Sequence, residues 1–212
     1  MDGGDPAARE LMGDKEAARR RFDRWAARYE RDRRSRFNAG PQREALAVLD
    51  VRARDRFLDV GCGTGAAVRG AAAVAARAVG VDLSERMVER ARELATEGGE
   101  FVVADSEDLP FADGEFTAVL CTASFHHYPD PHRALAEMAR VLEPGGRVVI
   151  GDGTSDLLAA RLADGILRRV DRSHVRLYRT AELRALLAGA GFGDVEVRKT
   201  MGGGWAIASA RR

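Results

Sequence analysis

Leu58-Asp59-Val60-Gly61-Cys62-Gly63-Thr64-Gly65 decides how this chain is read. An apolar run over 56–60 leads straight into three glycines at alternate positions, and a helical pattern follows. Glycine lets a backbone turn sharply and approach a ligand where a Cβ would collide. Main-chain N–H groups in such a turn, with a helix N-terminus behind them, suit a polar or anionic group. The stretch predicts a nucleotide- or nucleoside-binding loop. Its spacing is G-x-G-x-G, one residue shorter than the G-x-G-x-x-G of dinucleotide loops. Asp59 stands two residues before the first glycine.

Working outward, Ala78-Val79-Gly80-Val81-Asp82 predicts a second strand ending in an acid. Asp82 lies 21 residues after Gly61, the separation at which an acid reaches a ribose in α/β nucleotide sites. Strands over 101–104, 116–121 and 147–150 follow, the first ending in Asp105-Ser106 and the second in Thr122. Helical patterns over 84–96 and 131–142 separate most of them. This alternation predicts a parallel sheet with helices on both faces. Ligands of such sheets bind outside the C-terminal strand ends, where Asp59, Asp82, Asp105 and Thr122 all fall. Two last strands over 195–200 and 205–210, joined through Gly202-Gly203-Gly204, predict an antiparallel hairpin at the sheet edge. The expected fold is an α/β, Rossmann-like, seven-stranded, mostly parallel sheet with that hairpin at its edge.

The 212 residues fit one domain with a small appendage. Residues 1–40 are expected to form a helical lid, with the first dozen frayed, and 41–212 the binding domain. A net charge of +1 supplies no global field toward nucleic acid or membrane. No apolar run reaches the roughly 18 residues of a span, and no secretory h-region opens the chain. Cys62 and Cys121 lack metal spacing and read as reduced structural thiols of a cytoplasmic protein. Over 19–36 there are nine arginines against three acids. A solvated helix face is the plainer reading; an acidic substrate, RNA or an anionic membrane surface is the alternative.

The chain resembles the class I S-adenosylmethionine (SAM)-dependent methyltransferases, in particular the group that includes the ubiquinone and menaquinone C-methyltransferases. The resemblance is carried by LDVGCGTG at 58–65, VGVDLSERMVERAR at 79–92, ADSEDLPFADGEFTAVLC at 104–121, HHYPDPHRALAEMARVLEPGGRVVI at 126–150 and LYRTAELRALLAGAGFGDVEV at 177–197. It covers roughly residues 41 to 210. These motifs specify the cofactor well and the methyl acceptor poorly.

SAM has three parts with different needs. Its ribose diol suits a carboxylate, which accepts from two hydroxyls at once; Asp82 is the candidate, with Ser84 capping the next helix. The methionine end suits the main chain of Gly61, Cys62, Gly63 and Gly65. The resemblance implies that Asp59 supports that loop or the ammonium, and that Thr122 lines the methionine. Asp105 and the Ser106 N–H suit the adenine edge, and Leu83 and Met87 its faces.

Methyl transfer from a sulfonium is an in-line displacement with a neutral leaving group. Alignment and a dry pocket suffice, and a base is needed only when the acceptor must lose a proton. His126 and His127, just past the fourth strand, are the candidate bases, with His127 ahead. No carboxylate cluster of the kind carried by metal-dependent relatives is evident, so no metal is expected.

Phe22, Trp25, Ala26 and Tyr29 fall at i, i+3, i+4 and i+7 on one helix face. The resemblance implies a lid there, with Tyr29 against the cofactor and Trp25 toward the acceptor. An insertion over 152–180, with an amphipathic helix at 155–170, brings His174 and Tyr178 toward the acceptor. The expected activity is methylation of a small molecule by a monomer or homodimer. A non-catalytic SAM-binding protein and an RNA or protein methyltransferase are the alternatives. Against the latter, Thr122-Ala123-Ser124-Phe125 stands where amino-group methyltransferases of nucleic acids carry an Asn/Asp-Pro-Pro-aromatic motif. A nicotinamide oxidoreductase is opposed by the glycine spacing and the lack of an evident Tyr-Lys pair.

Overall fold

The structure is a computed structural model that describes residues 6–95 and 98–212. Helix α1 (Pro6–Trp25) passes through a tight 3-10 turn (Ala26–Arg31) into α2 (Arg33–Leu49). Strand β1 (Arg56–Val60), α3 (Ala66–Ala72), β2 (Arg77–Asp82), α4 (Glu85–Leu94) and β3 (Glu100–Val103) form the first half of the domain. Then come β4 (Phe116–Thr122), α5 (Pro131–Val141), β5 (Leu142–Gly153), α6 (Leu158–Val170), α7 (Thr180–Gly189), β6 (Gly193–Thr200) and β7 (Trp205–Arg211). The strands make one seven-stranded sheet in the order β3-β2-β1-β4-β5-β7-β6. Only β7 runs against its neighbours. The expected fold is the one observed.

Periodicity explains the elements. β1 and β4 are buried on both faces, as strands of a covered parallel sheet must be. Side chains alternate between two cores. Leu58, Val60, Val119, Leu135, Met138 and Leu187 fill one, under α5 and α7. Phe57, Leu120, Val149, Leu49, Val68 and Val88 fill the other, under α2, α3 and α4. Caps set the helix starts. Ser84 Oγ accepts from the Met87 N–H at 3.1 Å, and Asp130 Oδ1 accepts from His132 and Arg133, with Pro131 at the first helical position.

The structure departs from the sequence reading in four places. The start of the chain is helical from Pro6, so fraying over the first dozen residues does not describe residues 6–12; residues 1–5 and 96–97 lie outside the described residues. The face drawn through Phe22, Trp25, Ala26 and Tyr29 is not one helix, because α1 ends at Trp25. α2 spans residue 40, the expected boundary, with Pro41, Ala45 and Leu49 buried in a row against the sheet. Asp152 and Gly153 belong to β5, where Gly153 pairs with Trp205. The strand is long because Gly145 N–H donates to the Arg212 carbonyl and Arg212 N–H to the Gly146 carbonyl, drawing the 143–146 turn into the sheet.

Among the described residues, no helix is long and apolar enough to cross a membrane. Cys62 and Cys121 are buried free thiols.

Gly65 shows how tightly the β1–α3 junction is built. Its φ is +79°, and a Cβ there would overlap the Phe101 ring. Gly65→Ala is expected to lower unfolding free energy by about 2–4 kcal/mol, from left-handed strain plus overpacking, measured by urea denaturation.

Candidate active site

Sheet order reverses between β1 and β4, the point where α/β sheets open a crevice at their C-terminal ends. A cavity of about 260 Å³ lies there. Its floor is residues 60–64, 81–84, 104–106 and 122–124, with Met87 beside them. Its roof is helical: Lys15, Ala18, Arg19 and Phe22 from α1, Tyr29 from the turn, and Ser35, Asn38, Ala39 and Gln42 from α2.

The loop is held by its own main chain. Gly61 and Cys62 N–H groups both donate to the Val81 carbonyl, at 2.8 and 2.9 Å. Gly61, Gly63 and Gly65 have φ of +78°, +54° and +79°. A Cβ on Gly61 would overlap Ser124, and the Tyr29 ring lies over Gly63. Asp82 is gripped at both oxygens: Oδ2 accepts from Gly63 N–H and Oδ1 from Ser84 N–H, each at 2.9 Å. Burial pushes its carboxyl up to about 6, against these hydrogen bonds, which leaves it ionised at neutral pH. Each oxygen keeps a lone pair for a further donor.

Asp59 sits beneath the loop and does not line the cavity. It is fully buried, and neither carboxylate oxygen has a hydrogen-bond partner. Burial, and then the nearby Asp82 charge, push it up to about 8. An orphaned buried carboxylate is costly unless a positive charge or donor satisfies it. At neutral pH it escapes that cost by holding its proton.

Leu83, Met87, Asp105 and Ser106 all line the cavity. Asp105 Oδ1 accepts from Glu107 N–H at 2.9 Å, and Oδ2 from Lys15 Nζ at 2.7 Å. Lys15 also donates to the buried Glu107 at 2.5 Å. Burial disfavours the ammonium, but the two acidic hydrogen bonds outweigh it and raise its affinity for the proton. The sequence reading missed Lys15 and the α2 residues. Lys15, Ala18, Arg19 and Phe22 repeat at i, i+3, i+4 and i+7, as do Ser35, Asn38, Ala39 and Gln42. Both are helical faces, but mostly polar or small, so an apolar template does not mark them. Gln42 Nε2 donates to Thr122 Oγ1 at 3.0 Å, tying the α2 roof to the β4 end.

The two candidate bases separate. His127 lines the cavity. Its Nδ1 donates to the Ser173 carbonyl, which leaves Nε2 with the free lone pair. Burial first, then the nearby His126 charge, hold His127 well below the usual imidazole value. Phe22 meets its ring edge-on at 5.0 Å. His126 does not line the cavity. Its Nδ1 bonds Asp152 Oδ1 at 2.8 Å, its N–H bonds Oδ2 at 2.9 Å, and its carbonyl accepts from Val175 and Arg176.

Trp25, His174 and Tyr178 also stand outside the lining. Trp25 packs between Phe22 and Tyr29, at ring distances of 6.0 and 4.8 Å. His174 is buried and bonds Asp164 Oδ1 at 2.7 Å. Tyr178 is core, against Phe125 at 5.2 Å. They back the site rather than face into it.

A methyltransferase-domain family matches residues 58–150, from β1 to the centre of β5. The ubiquinone biosynthesis O-methyltransferase of Thiobacillus denitrificans is 35% identical over 72% of this chain and 72% of its own length. The chain belongs to the class I SAM-dependent methyltransferases. The 27-O-demethylrifamycin SV methyltransferase of Amycolatopsis mediterranei is 41% identical over 50% of this chain and 41% of its own. This methyltransferase spans about half the length of several curated relatives it matches. The crystal structure of the YcgJ protein of Bacillus subtilis has the same fold, with a TM-score of 0.71 at 20% identity over 82% of this chain and 98% of that one. The roof helices and α6 lie outside the matched family segment.

The raised carboxyls give this methyltransferase a pH signature. A buried acid that binds its proton more tightly folded than unfolded destabilises the fold as pH rises from its unfolded to its folded value. Asp82 completes that charging near pH 6 and Asp59 near pH 8. Asp59→Asn is expected to raise the melting temperature of the ligand-free protein. The difference from wild type should widen from pH 4 to 8 and then level off, read by scanning fluorimetry across pH.

Proposed function

We propose that this methyltransferase binds SAM in the cavity and moves its methyl group to a small-molecule acceptor. The observation that carries the reading is the clamped, half-buried Asp82 carboxylate on the glycine loop, facing the same cavity as His127. The residues present fit the group. Asp82 has two oxygens for a diol, Asp105 and Ser106 have an acceptor and an N–H for an adenine edge, and Leu83 and Met87 are apolar flanks. The glycine main chain, Thr122 and Tyr29 fit the methionine end, and the orphaned Asp59 fits an ammonium reached directly or through water. Bound SAM supplies an activated methyl with a neutral leaving group.

The chain itself supplies placement and a dry enclosure. The roof from α1, the 26–31 turn and α2 covers the strand ends and serves as a lid. Fixing two reactants in line is worth on the order of 7–11 kcal/mol. His127 presents a neutral Nε2 that takes the proton when the acceptor nucleophile carries one. His126 positions the loop through Asp152. The names of the relatives from Amycolatopsis and Thiobacillus, which refer to a rifamycin precursor and to ubiquinone biosynthesis, support a small-molecule acceptor.

Calorimetric titration with S-adenosylhomocysteine tests the cofactor half. Asp82→Ala is expected to weaken binding on the order of 100-fold, since charged hydrogen bonds contribute about 1.5–3 kcal/mol each. Unchanged affinity would overturn the assignment. An acceptor panel read by S-adenosylhomocysteine release tests the other half. His127→Gln is expected to lower turnover about 10²–10⁴-fold while S-adenosylhomocysteine affinity stays constant. The acid limb of wild-type kcat/KM should fall below the ordinary imidazole value of 6.5, because burial disfavours imidazolium.

A further inference from the structure

Helix α6 is amphipathic in the wrong sense for a helix that only packs on its own domain. Leu158, Leu162, Ile166 and Val170 recur every fourth residue, and their exposures are 65%, 64%, 60% and 73%. At 3.6 residues per turn they form one continuous outward ridge. The inward contact is polar. Asp164, the one buried residue of the helix, accepts from His174 Nε2 and from Leu177 N–H, both at 2.7 Å. Leu157 (47% exposed) lies beside Gly203, and Met201 (43% exposed) belongs to the same β6–β7 connection, so exposed apolar surface continues past the start of the helix.

The charge on this surface has one sign. Arg161, Arg168 and Arg169 lie on α6 and Arg172 just beyond it, all exposed. Among the described residues, none of the four has a carboxylate within ion-pair distance. Of the neighbouring acids, Asp156 pairs with Lys199 and Asp171 with Arg21, and Asp164 is buried on the inward face against His174 and the Leu177 N–H. A second copy of the chain would bring this unbalanced cationic face against its like. An anionic lipid surface supplies both an apolar layer for the ridge and negative headgroups for the arginines.

We infer that α6 is a docking helix that lies in the interface of an anionic membrane. It hangs on the histidine layer behind the site, since the His174 ring stands 5.3 Å from His126 and 6.4 Å from His127. The inference does not depend on which molecule is methylated.

Flotation of the intact protein with vesicles tests it, using mixed phosphatidylglycerol–phosphatidylcholine against phosphatidylcholine alone. Binding is expected to the anionic vesicles at low salt and to weaken as salt rises. Leu162→Asp with Ile166→Asp should lower the partition coefficient at least tenfold, and Arg168→Glu with Arg169→Glu on the order of tenfold or more. Both pairs are exposed, so circular dichroism and S-adenosylhomocysteine affinity should match wild type. Equal partition onto neutral and anionic vesicles, or no partition at low salt, would overturn the inference. So would retained binding by either double variant. A wild-type dimer in light scattering that Leu162→Asp dissociates would assign the ridge to a second copy instead.

Discussion

One half-buried carboxylate organises the site. Asp82 ends β2, and its oxygens take up the Gly63 and Ser84 N–H groups. The first bond holds the glycine loop in its left-handed turns; the second sets the start of α4. Replacing the carboxylate would release two main-chain donors and lose the acceptor for a diol together. Asp59 makes sense in the same frame. It lies under the loop, unpartnered and close enough to Asp82 to feel its charge. At neutral pH the charge behind the loop is that of Asp82, since burial keeps Asp59 largely protonated, and it makes a local negative potential. A sulfonium with an ammonium beside it fits that potential; a dinucleotide pyrophosphate does not.

The roof is fastened by polar ties at both ends. Lys15 reaches Asp105 and Glu107, and Arg21 reaches Asp171 and Ser173. Between them, Asp23 accepts from Ser84 Oγ at 2.7 Å. Such ties are exchangeable with water or ligand at little net cost, whereas an apolar seam is not. The Lys15 bond occupies the Asp105 carboxylate at the cavity wall. At the other end, Ser173 is touched by Arg21 through its hydroxyl and by His127 through its carbonyl. The roof and the candidate base share one residue.

The insertion between β5 and α7 carries two layers of chemistry. Its inner layer is Ser173, bonded to His127, and the pair His174–Asp164, beside the His126–Asp152 pair of the β4 and β5 ends. Its outer layer is the apolar ridge of α6. The whole chain carries a net charge of only +1, so it has no strong overall field, yet the ridge region is locally cationic. Local patterning rather than total charge governs surface association over a Debye length of about 10 Å.

The fold was legible because its signals are local. Strand runs, helix caps and the need for φ > 0 at Gly61, Gly63 and Gly65 are properties of neighbouring residues, and Asp82 follows at a spacing set by one βαβ unit. The sequence by itself therefore determined the sheet, its reading direction and the glycine-loop floor of the cavity. The tertiary structure alone decided the rest. Lys15 meets Asp105 across 90 residues, His127 meets Ser173 across 46, and Arg21 meets Asp171 across 150. No period along the chain encodes such pairings. It also decided that Trp25, His174 and Tyr178 back the cavity, that Asp59 has no partner, and that the apolar face of α6 points outward. An amphipathic pattern states that a helix has two faces; only packing determines which one the domain covers.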